Sequence, residues 1–103
     1  MPGTEGRVRL DLNSPPFQEQ WFALSKEDGH AVLTTLRKVS QRSWHQVYTD
    51  HRLKWEAISS RRGPVGERLY SFRCGRALRA VAYRDGDFLR LLTLHPDHDS
   101  AYR

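Results

Sequence analysis

The residues best suited to chemistry lie at the end of the chain. Leu94-His95-Pro96-Asp97-His98-Asp99-Ser100-Ala101-Tyr102 closes a hydrophobic stretch, then places five proton-handling side chains within eight residues. Imidazole exchanges a proton near neutral pH, which suits general acid or base work. A base here can take the 2′-hydroxyl proton of RNA, so that this oxygen attacks the adjacent phosphorus. An acid can protonate the departing 5′ oxygen. His98, Asp97 and Tyr102 are the candidates for those roles, while His95, nearest the strand end, reads also as a core or capping histidine. A solvated polar tail is the plain alternative. A metal site is the other, but a His-Pro-Asp-His run does not match the usual zinc spacings and no further cluster completes four ligands.

Such chemistry needs cations around the phosphate. Lys54, Arg73 and Arg79 fall in strand-like segments, and on one uncovered sheet face they would form a cationic saucer able to stabilise charge that builds during displacement. By the period-two rule Lys54 and Glu56 share one side of their strand, opposite Leu53, Trp55 and Ala57. Tyr70, Phe72, Tyr83 and Phe88 are placed to stack bases or complete a binding floor. The competing reading is that these charges only solubilise an open face.

The charge distribution bears on the partner. The chain of 103 residues carries 17 Lys and Arg against 12 Asp and Glu. Residues 1–50 hold six of each sign, so the whole excess of +5 lies in residues 51–103, where ten of eleven basic side chains are arginine. Guanidinium matches phosphate oxygens two at a time, so RNA, DNA or an acidic protein is a plausible polyanion partner. One cysteine, Cys74, excludes an internal disulfide framework and a CxxC pair, and reads as a small buried strand residue. No apolar run is long enough to span a bilayer, and MPGTEGRVRLDL lacks the apolar stretch of a secretory signal, so a reducing cytoplasm is the expected setting. His30, His45 and His51 read as surface or helix-edge residues.

The elements that must position these groups change character midway. Met1–Gly6 reads as a loose end and Val8–Leu12 as a short first strand. Asn13-Ser14-Pro15-Pro16 starts a helix with Phe17, Trp21 and Leu24 on one face. Ser25-Lys26-Glu27-Asp28 starts a second, with Val32, Leu33, Leu36 and Val39 as its buried stripe, which makes a helical hairpin. A short third helix is expected over Ser43–Tyr48, with Trp44 and Val47 inward. Strands follow at Leu53–Ser59, Arg68–Arg73, Ala77–Arg84 and Asp87–Leu94, with Arg61–Gly66 as a loop and Asp85-Gly86 as a hairpin turn. Leu78, Ala80 and Ala82 face one way and Arg79, Val81 and Tyr83 the other; Ser71 and Arg73 oppose Tyr70, Phe72 and Cys74. The expected architecture is one α+β domain over residues 1–103: a helical part (14–48), a strand meander (53–94) with helices on one face, and a terminal segment (95–103).

Leu69-Tyr70-Ser71-Phe72-Arg73, Ala77 to Tyr83, the hairpin and the Leu94-His95-Pro96-Asp97-His98-Asp99 ending together resemble the RelE/ParE superfamily of bacterial type II toxins. The ending is most similar to the HigB-like branch, with a tyrosine of that branch replaced by His98. In motif terms the likeness covers residues 53–102. It implies a RelE-like fold, with a helical hairpin packed on a twisted, mainly antiparallel sheet of four to five strands. It implies an endoribonuclease that cuts messenger RNA on the ribosome without a metal or other cofactor and is neutralised by a cognate antitoxin, with no membrane involved. Lys54 and Arg73 take the place of the family's basic catalytic residues, and Asp97, His98 and Tyr102 that of its C-terminal catalytic segment. Arg79, with Arg76 and Arg61, falls to RNA binding. The alternatives are a ParE-like gyrase inhibitor, and a non-catalytic RNA- or protein-binding module using the cationic sheet alone.

Overall fold

The computed structural model describes residues 6–102, so the loose end expected over Met1–Gly6 lies outside the described residues except for Gly6. The Gly6 carbonyl accepts from the Trp44 N–H at 2.8 Å.

The order is β1 (Arg9–Asp11), α1 (Pro15–Phe22), α2 (Lys26–Ser40), α3 (Trp44–Thr49), β2 (Glu56–Arg62), β3 (Arg68–Arg73), β4 (Arg79–Asp85), β5 (Phe88–His95) and α4 (His98–Ala101). Pro15 and Pro16 occupy the first positions of α1, where a missing N–H costs nothing. The Ser14 hydroxyl does not cap that helix and donates instead to the Leu92 carbonyl at 2.9 Å, tying α1 to β5. Ser25 caps α2 through the Asp28 N–H, with Glu27 and Asp28 at its positive end and Arg37 and Lys38 at its negative end. Ser43 and Gln46 form a reciprocal capping box on α3.

The sheet has five strands in the order β1-β5-β4-β3-β2. Only β1, paired with β5, runs parallel; the other pairs are antiparallel. The main core lies between the helices and one sheet face, where Phe17, Val32, Leu36, Val39, Trp44 and Val47 meet Phe72, Cys74, Leu78, Ala80, Ala82 and Leu89. Leu33 is a correction: it is 40% exposed, because Val32, Leu36 and Val39 already complete the inward face and Leu33 sits about a quarter turn away.

The opposite face is not open, as the alternation had suggested. A second cluster of Ile58, Leu69, Val81 and Ala101 forms there, with Tyr83, Leu92 and Tyr102 against it, because α4 folds back over the sheet. Between Val81 and Ala82 the pairing with β5 shifts, so Leu91 and Leu94 both face the main core although three residues apart.

Two boundaries near the basic residues also move. Leu53 and Lys54 lie in a turn before the strand, with Trp55 linking the two, Leu53 buried and Lys54 at φ +50°. Lys54 therefore does not share a strand side with Glu56. Arg61 and Arg62 belong to β2 rather than to the loop after it.

Candidate functional site

Strand register builds the site. Glu56 on β2 stands opposite Ser71 on β3, and Arg73 on β3 stands opposite Arg79 on β4. Tyr102 and His98 reach this place from α4 and the residue after it.

Arg79 anchors the arrangement and is only 4% exposed. Its guanidinium donates twice to Ser71 Oγ, at 2.8 and 3.2 Å, and once to the Lys54 carbonyl at 2.8 Å. The two bonds to Ser71 occupy its lone pairs, so the single Ser71 proton is directed to the Tyr102 oxygen, 3.0 Å away. Tyr102 in turn donates to Glu56 Oε2 at 2.6 Å. Arg79, Ser71, Tyr102 and Glu56 thus form one directed chain of hydrogen bonds, in which each donor polarises the next. That chain holds the Glu56 carboxyl below its usual range, chiefly through the Tyr102 bond and further through His98 and the Arg79 charge, against some burial. Burial first, and the Glu56 bond second, push the Tyr102 phenol up, so Tyr102 stays a donor.

His98 completes the cluster. Its Nε2 lies 3.4 Å from Glu56 Oε2, and its ring stacks on Tyr102 with centroids 4.4 Å apart. The side chain is 54% exposed and so open to a ligand. The Asp97 carboxylate caps α4 by accepting from the Ser100 N–H at 2.8 Å, fixing the start of the turn that carries His98.

A groove of about 320 Å³ opens beside this cluster, lined by Lys54, Arg73, Arg76, Ala77, Arg79 and His98. The sequence-derived residues Lys54, Arg73, Arg76, Arg79 and His98 therefore meet in one place, with Tyr102 behind them. The Arg73 side chain is held by a bond from Nε to the Gly75 carbonyl at 2.9 Å. Arg79 supports the groove from beneath rather than standing free on an open face.

Arg61 is not brought to the groove. It donates to the Ala101 carbonyl at 3.1 Å, while Ser60 donates to the Tyr102 carbonyl at 2.8 Å, and together they tie α4 to β2. His95 is half-buried, lies 2.8 Å from Thr93 Oγ1, and has its imidazolium form disfavoured by burial first and by the Arg61 charge second.

The aromatic floor does not assemble. Phe72 is buried in the main core, and Tyr70 lies on that same side, stacked on Trp55 at 4.9 Å. Tyr83 packs on the second cluster, and Phe88 lies under the Arg9 and Arg90 guanidinium groups.

Glu56 and Ser71 are the site residues that sequence reasoning passed over. A signal was present for Ser71: a small hydroxyl on the same strand side as Arg73, amid bulky neighbours. Glu56 had none beyond its carboxylate beside an unexplained Trp55. Among the described residues no three His, Cys, Asp or Glu side chains converge as a metal-binding group, and no helix is long and apolar enough to cross a membrane.

No protein-family model matches the sequence, and no curated protein matches it. Solved structures do. The chain is similar to one in the archaeal RelE–RelB complex of Pyrococcus horikoshii OT3, with a TM-score of 0.57 and 16% identity over 87% of this chain and 92% of that one. It is also similar to a copper-bound mutant toxin from Helicobacter pylori, with a TM-score of 0.50 and 18% identity over 91% of this chain and 96% of that one. These likenesses show the fold, which is the RelE-like α+β arrangement expected from the sequence.

Proposed function

We propose that this chain is the toxin of a type II toxin–antitoxin pair and acts as an endoribonuclease that cuts messenger RNA on the ribosome. The observation that carries the reading is the carboxylate of Glu56, held by Tyr102 and beside His98, at the edge of a groove lined by Lys54 and Arg73. An acid/base pair next to fixed cations is what phosphodiester transfer requires.

The roles follow from position. Lys54 and Arg73 hold the non-bridging oxygens of the scissile phosphate, and Arg76 holds a neighbouring one. Glu56, kept ionised, accepts the 2′-hydroxyl proton as that oxygen bonds to phosphorus. The bond from phosphorus to the 5′ oxygen breaks, and protonated His98 gives that oxygen its proton. The products are a 2′,3′-cyclic phosphate and a free 5′-hydroxyl. Tyr102 and Arg79 position Glu56, Asp97 positions His98, and Arg61 holds the segment that carries both His98 and Tyr102.

A gyrase poison, or a module that only binds RNA or protein, has no need of this acid/base cluster. The fold likeness to a RelE–RelB complex supports an antitoxin partner. A basic groove on a toxin needs covering in the cell, so that partner is expected to be acidic and to act in the cytoplasm.

The test is primer extension on transcripts after induction. The unsubstituted chain should produce discrete internal 5′ ends and growth arrest. His98→Ala, Glu56→Gln and Arg73→Ala should each abolish the ends and relieve the arrest while the purified protein stays folded. Undiminished toxicity in all three rejects the nuclease reading. Inhibition of purified gyrase in a supercoiling assay would replace it with the ParE-like one.

A further inference from the structure

Two further grooves carry the positive lining of the candidate site onward. A second, of about 320 Å³, shares Arg73 with it and is lined further by Thr35, Lys38, Arg52, Leu53 and Gly75. A third, of about 310 Å³, shares Lys38 and Arg52 with the second and adds Arg42, Gln46 and Thr49 around Asp50. Sharing Arg73, then Lys38 and Arg52, the three follow one another as a basic channel in three parts, from His98 past the Lys54 turn and across the C-terminal end of α2 to α3.

The lining of this channel is unlike the rest of the chain. Seven of its side chains are Lys or Arg and one, Asp50, is a carboxylate. Asp50 does not cancel the field. It lies 3.6 Å from both Lys38 and Arg42, so two cations face one anion, and it holds their ends in place. The Arg52 guanidinium is exposed and makes no ion pair or hydrogen bond with a described residue. The polar neutral groups, Thr35, Gln46 and Thr49, are of the kind that contact sugar and phosphate. No Phe, Tyr or Trp lines these three grooves; His98 brings a ring to the first, and Tyr48 and Trp55 line a separate groove beside Lys54 and Asp50.

We propose that this channel is a track for the backbone of single-stranded RNA flanking the scissile bond, gripping it through Arg52, Lys38 and Arg42. The inference rests on RNA being the substrate of the adjacent site. Beyond His98, in the two grooves around Arg52, Lys38 and Arg42, cations without stacking rings grip phosphates and read no base, so the track adds affinity without sequence preference.

The test uses the full chain carrying His98→Ala, so that binding is measured without cleavage. Affinity for a fluorescent twelve-nucleotide RNA and for a dinucleotide is measured against salt. Arg52→Gln, and Arg52→Gln with Lys38→Gln, are compared with Arg62→Gln, an exposed arginine of β2 outside the channel. The double variant should bind the long RNA about tenfold more weakly at low salt, with a salt slope shallower by about 1.4, since each lost contact to a single strand removes about 0.7. Dinucleotide binding should not change, and two long RNAs of different sequence should lose equally. The proposal is overturned if Arg62→Gln has the same effect as Arg52→Gln, or if the dinucleotide loses as much as the long RNA. Lys38 also lies at the negative end of α2, so urea unfolding accompanies each variant; a loss of stability with RNA affinity unchanged assigns it to the helix alone and rejects the track. If the unsubstituted chain cuts no RNA while the binding pattern holds, the nuclease reading fails and the track stands.

Discussion

Replacing Tyr102 by Phe removes one oxygen and splits into two effects that pH separates. The first is the bond to Glu56. A hydrogen bond to an ionised acceptor contributes about 1.5–3 kcal/mol. The Glu56 side chain is 46% exposed, so solvent screening leaves about 1 kcal/mol. The second is Ser71, which is fully buried and has both lone pairs engaged by Arg79. Without the tyrosine oxygen its proton has no acceptor, which costs a further 1–3 kcal/mol or so. At pH 7 the variant should lose about 2–4 kcal/mol in total, read by urea unfolding with tryptophan fluorescence. Only the Glu56 part depends on pH. The folded carboxyl is depressed below its ordinary 4.5, so its stabilisation is complete above that value and is lost as pH falls through the folded one. The difference between wild type and variant should therefore shrink, by up to about 1 kcal/mol, as pH falls from 7 through the folded value, the Ser71 part remaining. Asp11 and Asp50 also lose stabilisation in that range, but equally in both proteins, so they cancel. A gap independent of pH refutes the Tyr102–Glu56 bond. No gap at pH 7 refutes the whole chain of bonds.

Three other outcomes follow from the same geometry. Arg79→Lys keeps the charge but loses the fork that reaches Ser71 and the Lys54 carbonyl together, and should cost about 2 kcal/mol in urea unfolding; a loss no larger than that of Arg62→Lys would contradict the buried anchor. The Cys74 thiol, pushed up to about 12 by burial, should resist iodoacetamide at pH 8 until the chain is unfolded in urea, and rapid native labelling would show the core to be open there. His95, depressed by burial, favours the neutral ring in the folded state, so stability should fall as pH drops from the ordinary 6.5 through the folded value; His95→Gln should flatten that slope between pH 7 and pH 5, and an unchanged slope would assign it elsewhere.

What could be read from the sequence was whatever depends on local period and capping. Ser25, Ser43 and the Asp85-Gly86 turn mark their elements by chemistry that acts within a few residues, and the structure has α2, α3 and the β4–β5 hairpin there. Leu78, Ala80 and Ala82 took their face from alternation alone. Lys54 was misread because its backbone conformation is set by a distant partner: its carbonyl accepts from Arg79, 25 positions along the chain. No pattern around Leu53-Lys54-Trp55 announces a left-handed residue. The covered second face was missed for a similar reason. Ala101 looks like part of a polar tail until Ile58, Leu69 and Val81 are seen to leave a place for it. The charge of Arg61 and Asp97 was visible in the sequence, but their bonds to the Ala101 carbonyl and the Ser100 N–H depend on where α4 folds back.

The register at the site carries one more physical consequence. Arg73 and Arg79 stand directly opposite on neighbouring strands, and like charges so placed repel. Arg79 turns inward onto Ser71 and the Lys54 carbonyl, neutral acceptors that solvate the guanidinium without cancelling its charge. A carboxylate in place of Ser71 would offset the Arg79 charge and weaken the positive field of the groove, at the desolvation cost of a buried ion pair. The hydroxyl instead passes the polarisation on through Tyr102 to Glu56. The positive field is left at the groove lined by Arg73 and Lys54. The same buried arginine thus anchors Ser71 and the Lys54 turn and, through its charge, helps keep the Glu56 carboxyl low.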